Sequence, residues 1–267
     1  MINSFKEKIV EKDGCNIHYW ISVKLNAPWL IFLHGAGTDH RMFDNQISAV
    51  CDKFSILLWD ARGHGLSRPM GNGFSIKLLI DDLIEIMNIE GIDSATFIGQ
   101  SMGGNTAQEM SFYHPERVKN LVLIDCTCNT MKLSWIERLL VNSTPFLLPI
   151  FPWKLLMNMS AQVSSIKPEV QSYLNETFGV VGKGDFTKIF TETAACLHYE
   201  KDYKINKPML LVCGEFDNTG NIKKIALPWS LKEPNCSFHT IKNASHCSQQ
   251  DNPHEFNKLL TDFLLEH

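Results

Sequence analysis

Short, unbroken apolar runs recur along the chain at Trp29 to Leu33, Ser55 to Trp59, Ala95 to Ile98, Leu121 to Ile124 and Met209 to Cys213. Runs of four or five residues with no polar alternation suit parallel strands covered on both faces. Between them lie helical periodicities. In the clearest, Ile76, Leu79, Ile80, Leu83, Ile84 and Met87 return at three- and four-residue steps and so share one helix face. Strand and helix in alternation predict a doubly wound sheet. Residues 5 to 22 behave differently: they alternate around Asp13-Gly14, a two-residue hairpin signal, and predict an antiparallel start. The last helix is announced by Asn252 as cap, Pro253 in the first helical position and Glu255 three residues after the cap, with Phe256, Leu259, Leu260, Phe263 and Leu264 on its buried face.

The alternation stops between Asp125 and Pro208, where several helix-like segments occur and no convincing strand does. This reads as a helical insertion, or lid, at residues 127–206, dividing a core into residues 1–126 and 207–267. Pro145 to Trp153 is strongly apolar within it, but its prolines and short length exclude a membrane span. Phe146, Phe151, Trp153 and Tyr173 are candidates either to line a pocket or to pack as core.

Composition narrows the class. The 267 residues are 44% hydrophobic and 20% charged, which fits a folded globule with a substantial core. A net charge of -4 gives no concentrated basic surface for nucleic acid. The first residues carry Lys6, Glu7, Lys8, Glu11 and Lys12 and no apolar segment, so they are not read as a signal peptide and a cytoplasmic location is expected. The eight cysteines are scattered and read as reduced core residues; Cys126 and Cys128 lack the spacing of a zinc or redox motif, and no metal or cofactor is expected.

Candidate chemistry concentrates just after the apolar runs, where ligands collect in open α/β sheets. After Leu33 comes His34-Gly35-Ala36-Gly37; after Trp59, Asp60-Ala61-Arg62-Gly63-His64-Gly65; after Ile98, Gly99-Gln100-Ser101-Met102-Gly103-Gly104. Asp125 follows Ile124, Gly214-Glu215-Phe216-Asp217 follows Cys213, and His246 lies beyond a further strand at Ser237 to Ile241. The serine is the most suggestive of these. A sharp strand-to-helix turn flanked by glycines projects its Oγ from the sheet rim at a helix N-terminus, where an oxyanion is favoured.

Taken in order, these motifs resemble the α/β-hydrolase superfamily over nearly the whole chain. The first is similar to its oxyanion loop, the third to its nucleophile elbow, Gly214 to Asp217 to its acid turn, and Ala244-Ser245-His246 to its histidine loop. The closest subgroup is the small, lidded esterases, lactonases and carbon-carbon bond hydrolases. The resemblance implies a mostly parallel eight-stranded sheet with helices on both faces and the lid after the sixth strand. It implies Ser101 as nucleophile, His246 as base and Asp217 as the acid orienting it, with the backbone N–H groups of Ala36 and Met102 receiving the oxyanion. Asp125 is an alternative acid. His34 and His64 are expected to brace loops, Glu215 to be solvated or structural and Cys247 to pack.

The expected activity is hydrolysis of a small ester, thioester or lactone through an acyl-enzyme, acting on a small-molecule acyl substrate. A carbon-carbon bond hydrolase or an acyltransferase would use the same triad, and a ligand-binding protein with little turnover is the alternative from another class. Haloalkane and epoxide hydrolysis are disfavoured, since relatives with those activities carry aspartate where this chain has Ser101.

Overall fold

The fold is that of a computed structural model that describes residues 5–267; residues 1–4, with which the expected core segment 1–126 begins, lie outside the described residues. A hairpin of β1 (Lys6–Lys12) and β2 (Cys15–Ser22) opens the chain, followed by β3 (Trp29–Leu33), α1 (Asp44–Val50) and β4 (Ser55–Trp59). Next come α2 (Ile76–Ile89), β5 (Ala95–Gln100), α3 (Met102–Tyr113) and β6 (Val118–Ile124). Four helices then run without a strand: α4 (Trp135–Leu147), α5 (Trp153–Ser164), α6 (Pro168–Val181) and α7 (Lys183–Ala195). The sheet resumes with β7 (Met209–Gly214), α8 (Ile222–Ser230) and β8 (Cys236–Ile241), and the chain closes with the single turn α9 (Ser248–Asp251) and α10 (Pro253–Glu266).

The eight strands form one sheet in the order β1-β2-β4-β3-β5-β6-β7-β8. β2 meets both β1 and β4 antiparallel, and every other pairing is parallel. The apolar runs are continuous because both faces are covered. In β3, Ile31 and Leu33 join the packing around α2, α3 and α8, while Leu30 and Phe32 face the other way onto α1 and α10. Successive strands β3 and β4 step to one side and β5 returns to the other side of β3. The C-terminal ends of β3 and β5 therefore open side by side at the point where the winding reverses, the usual ligand crevice of such sheets.

Beside this crevice a buried ion pair fixes the loop after β4. Arg62 donates through Nε to Asp82 Oδ2 at 2.7 Å and through a terminal nitrogen to Oδ1 at 2.6 Å, with both side chains fully buried. Removing one partner leaves an uncompensated charge in the core. Arg62→Met is therefore expected to cost about 3–5 kcal/mol, read as a fall in the urea unfolding midpoint, and Arg62→Met with Asp82→Leu to recover most of it. Equal shifts in the single and double variants would contradict this.

The four helices between β6 and β7 are joined to the sheet by two chain crossings that bond to each other: His198 N donates to Asn129 O at 2.8 Å and Glu200 N to Thr130 O at 3.0 Å. Both are pinned to α3 at Glu109, which accepts from Asn129 Nδ2 at 2.7 Å and pairs with His198 Nε2 at 3.0 Å. On the far side, Tyr173 of α6 donates its hydroxyl to Asp39, and Arg41 bridges to Glu176. α4 contributes no buried side chain. Among the described residues no helix is long and apolar enough to cross a membrane.

Candidate active site

β5 hands directly to α3 at Ser101. Its φ of 50° and ψ of -114° lie in a region non-glycine residues avoid, a strain of about 1–3 kcal/mol that surrounding structure must hold. The glycines make this possible. A Cβ on Gly103 would run into the carbonyl oxygen of Leu33, at the end of the neighbouring strand, and one on Gly99 into the carbonyl of Gly103. One on Gly104 would stand 2.6 Å from Cys126 Sγ. The turn is thus wedged between the ends of β3 and β6, and Ser101 N donates across to Ile124 O at 2.9 Å. Met102 is the first residue of α3, so its N–H points out of the helix end.

The loop after β3 meets this helix end. The carbonyl of Gly35 accepts from Thr38 N at 3.2 Å, Thr38 Oγ1 at 2.9 Å and His34 Nδ1 at 2.8 Å. Because a trans peptide sets its C=O and the following N–H in opposite directions, these bonds turn the N–H of Ala36 away from the loop. Among the described residues neither that N–H nor the N–H of Met102 has an acceptor. His34 Nε2 itself accepts from Ala61 N at 2.9 Å. Burial lowers the pKa of His34, and burial with the nearby His34 takes His64 down to about 3, so both stand as neutral braces between loops.

Asp217 and His246 come together from the loops after β7 and β8. His246 Nδ1 lies 3.0 Å from Asp217 Oδ2, and Asp217 Oδ1 accepts from Thr219 N at 2.8 Å. Nδ1 therefore carries the proton and Nε2 keeps its lone pair. Burial opposes the imidazolium, but the charge and hydrogen bond of Asp217 outweigh it, and the pKa of His246 is raised. Burial likewise resists ionisation of Asp217, and the His246 interactions hold its carboxyl below the usual range. Ser101, His246, Gln100 and Ala36 face a common cavity of about 300 Å³. The sequence-derived set of Ser101, Asp217, His246, Ala36 and Met102 thus collects at one edge of the sheet.

Asp125 is not hydrogen-bonded to His246. Its φ of 46° turns the carboxyl under the site, where Oδ1 accepts from Gly214 N at 2.7 Å and Oδ2 from Ser248 N at 3.0 Å. It ties the acid turn to the segment following the histidine. Burial and the negative charge of Asp217 push it up to about 8. Asp125, Cys213 and Asp217 offer ligand atoms within 4.8 Å of one another. They do not fit a cation: all four carboxylate oxygens already accept hydrogen bonds, and burial lifts the Cys213 thiol so that it stays protonated.

Two features escape sequence reasoning. Gln100 donates its side-chain amide to His246 O at 2.8 Å, so the residue before the serine also steadies the histidine. The histidine loop is further held from the α5 side, with Ser245 Oγ donating to Val163 O at 2.7 Å and Cys247 N to Ser164 O at 2.7 Å. The aromatic candidates for the pocket do not line it. Phe146 is 75% exposed, Phe151 faces outward, Trp153 packs edge-on against Phe186, and Tyr173 binds Asp39. The walls are instead aliphatic side chains of α5 and α6 with Phe178 and Phe190.

Residues 28–253 match the family model described as alpha/beta hydrolase fold. The chain belongs to the α/β-hydrolase fold family. Over 129 residues this family member is 30% identical to 3-oxoadipate enol-lactonase 1 of Acinetobacter baylyi, covering 48% of this chain and 47% of that protein. A second enol-lactonase of that organism is 33% identical over 119 residues, 45% of this chain and 44% of its own length. The chain thus spans about half the length of the curated lactonases it matches. Epoxide hydrolase 4 of Homo sapiens is 22% identical over 283 residues, 96% of this chain and 78% of that one. Among solved structures, the enol-lactonase from Burkholderia xenovorans superimposes with a TM-score of 0.82 at 21% identity, covering 97% of this chain and 100% of that one. At that identity the likeness is one of fold.

Proposed function

We propose that the protein is a serine hydrolase that cleaves a small ester, thioester or lactone through an acyl-enzyme, with Ser101, His246 and Asp217 as its triad. One observation carries the reading: a strained serine at a helix N-terminus shares a cavity with a histidine whose Nδ1 proton is held by a buried carboxylate. A serine hydroxyl is a weak nucleophile near neutral pH, so Nε2 of His246 takes its proton as Oγ attacks the acyl carbon. The carbonyl π electrons move to oxygen, and the N–H groups of Ala36 and Met102 receive that oxyanion. Losing one such donor typically raises the barrier by about 3–4 kcal/mol. As the tetrahedral centre collapses, the bond to the leaving oxygen or sulfur breaks and that atom takes the proton from His246. Water then repeats the sequence, its proton passing to Nε2 and its oxygen to the acyl carbon, and Ser101 is released.

Asp217 keeps the imidazole in the useful tautomer and stabilises the imidazolium formed in each half-reaction. In this reading residues 127–206 act as a cap over the site, and the names of the related enol-lactonases support the ester and lactone class. Incubation with a series of p-nitrophenyl acyl esters and with simple lactones tests it. Turnover with a pre-steady-state burst of p-nitrophenol, equal to the enzyme present, is the result expected when deacylation is slow. Absence of hydrolysis across both series, from folded protein, would contradict the proposal.

A further inference from the structure

α4 carries its apolar residues on the outside. Trp135, Ile136, Leu139, Leu140, Phe146 and Leu147 are all exposed, Trp135 by 76%. At about 100° per residue they fall within an arc of about 140°, so one stripe along the helix is apolar and faces solvent. The other side of the helix packs on α7. Ile150 and Phe151, just past the end of α4, are exposed as well. A helix of a globular protein ordinarily turns such a stripe inward, and a contiguous one left outside marks a surface that something covers.

Charge decides what covers it. Lys132, Arg138 and Asn142 surround an open recess of about 460 Å³ whose apolar wall includes Trp135 and Leu139, two members of the stripe. Lys132 and Arg138 are exposed, and among the described residues neither forms an ion pair. Residues 131–155 hold these two cations and Lys154 against a single acid, Glu137, in a chain whose net charge is -4. That acid is already engaged: its carboxylate accepts from Ser134 N at 2.7 Å and lies 3.6 Å from Lys224 Nζ. A second copy pairing by this face would meet the cations with the same acid-poor surface. A bilayer of anionic lipid supplies both missing partners, phosphate at the level of the recess and acyl carbon for the stripe.

We propose that α4 docks in the plane of an anionic lipid bilayer, its apolar stripe among the upper acyl carbons and Lys132 and Arg138 on headgroup phosphates. Trp135 then sits at the boundary, where an indole places its apolar body inward and its N–H in the wet layer. Docking of this kind does not depend on the chemistry at Ser101. It does border that site, because Leu140 of the stripe also lines a cavity of about 450 Å³ that reaches Ser101.

Vesicle flotation of the full chain tests this, with bilayers of phosphatidylcholine alone and of equal parts phosphatidylcholine and phosphatidylglycerol. The mixed vesicles are expected to bind about tenfold more tightly at about 0.1 M salt, a preference that shrinks at about 0.5 M. Trp135→Ser with Phe146→Ser lowers affinity for the mixed vesicles by about tenfold or more at an unchanged unfolding midpoint. Leu25→Ser, on the exposed loop between β2 and β3, leaves it unchanged. Lys132→Gln with Arg138→Gln abolishes the preference for anionic vesicles and keeps the weaker binding to phosphatidylcholine. No binding to mixed vesicles, or binding that neither double variant weakens, would overturn the proposal. Complete competition by inorganic phosphate would replace the bilayer with a free anion. A dimer seen by light scattering, lost in the Trp135→Ser and Phe146→Ser variant of a protein that binds no vesicle, would replace it with a second copy.

Discussion

If Ser101 is the nucleophile proposed above, replacing it by alanine is expected to lower kcat for ester hydrolysis by on the order of 10⁵- to 10⁶-fold, with little change in KM. The size of the loss follows from the site being a unit. Without Oγ, His246 has no proton to take, and the N–H groups of Ala36 and Met102 can assist only direct attack by water, which sustains a small residue of rate. Stability should barely move, because alanine adopts the strained φ of 50° no less readily than serine and Ser101 Oγ makes no hydrogen bond among the described residues. Steady-state kinetics on a p-nitrophenyl ester, with the unfolding midpoint as control, checks both. A loss under a hundredfold in folded protein would remove Ser101 from the chemistry.

In the proposed triad, Asp217→Asn is expected to carry the second large effect, a fall of about 10⁴-fold in kcat. An asparagine amide that donates to Nδ1 forces the proton onto Nε2, and the base is lost. The same substitution moves the pH profile. His246 must be neutral to accept a proton, so kcat/KM rises with pH through its ionisation. In the parent protein burial pulls that midpoint down, but the charge and hydrogen bond of Asp217 pull harder the other way, so it lies above the ordinary value of about 6.5. With the charge of Asp217 removed, burial prevails and the residual activity should titrate at lower pH. Asp125 does not substitute. Losing a negative neighbour brings its carboxyl down from about 8, but its oxygens are already engaged by Gly214 N and Ser248 N. An unchanged midpoint, or a loss below tenfold, would show that Asp217 does not set the histidine.

Much of the frame was legible because it depends on local pattern. The runs at Trp29 to Leu33 and Ser55 to Trp59 are strands over those same residues, since a strand covered on both faces needs every side chain apolar. The Asp13-Gly14 hairpin and the Asn252 cap, which accepts from Glu255 N, follow from turn and cap chemistry read over four residues. Strands were shortest in prediction where polar residues continue the ladder, as at Gln100, which ends β5 and whose amide then reaches His246.

What was not legible depends on distance in sequence. The tie made by Asp125 joins residues 89 and 123 positions away, and no spacing announces it. Pattern alone leaves Phe146, Phe151, Trp153 and Tyr173 open between pocket and core, because apolar residues on four amphipathic helices can face the site, the sheet or solvent; packing places Trp153 and Tyr173 against the core and leaves Phe146 and Phe151 exposed.

The central claim is covalent chemistry at Ser101, and the most direct measurement is intact-mass and peptide mass spectrometry after exposure to a fluorophosphonate. One adduct per chain, located on Ser101 and abolished in Ser101→Ala, is the expected result. An unmodified serine in protein that still hydrolyses esters, or an adduct placed elsewhere, would contradict it.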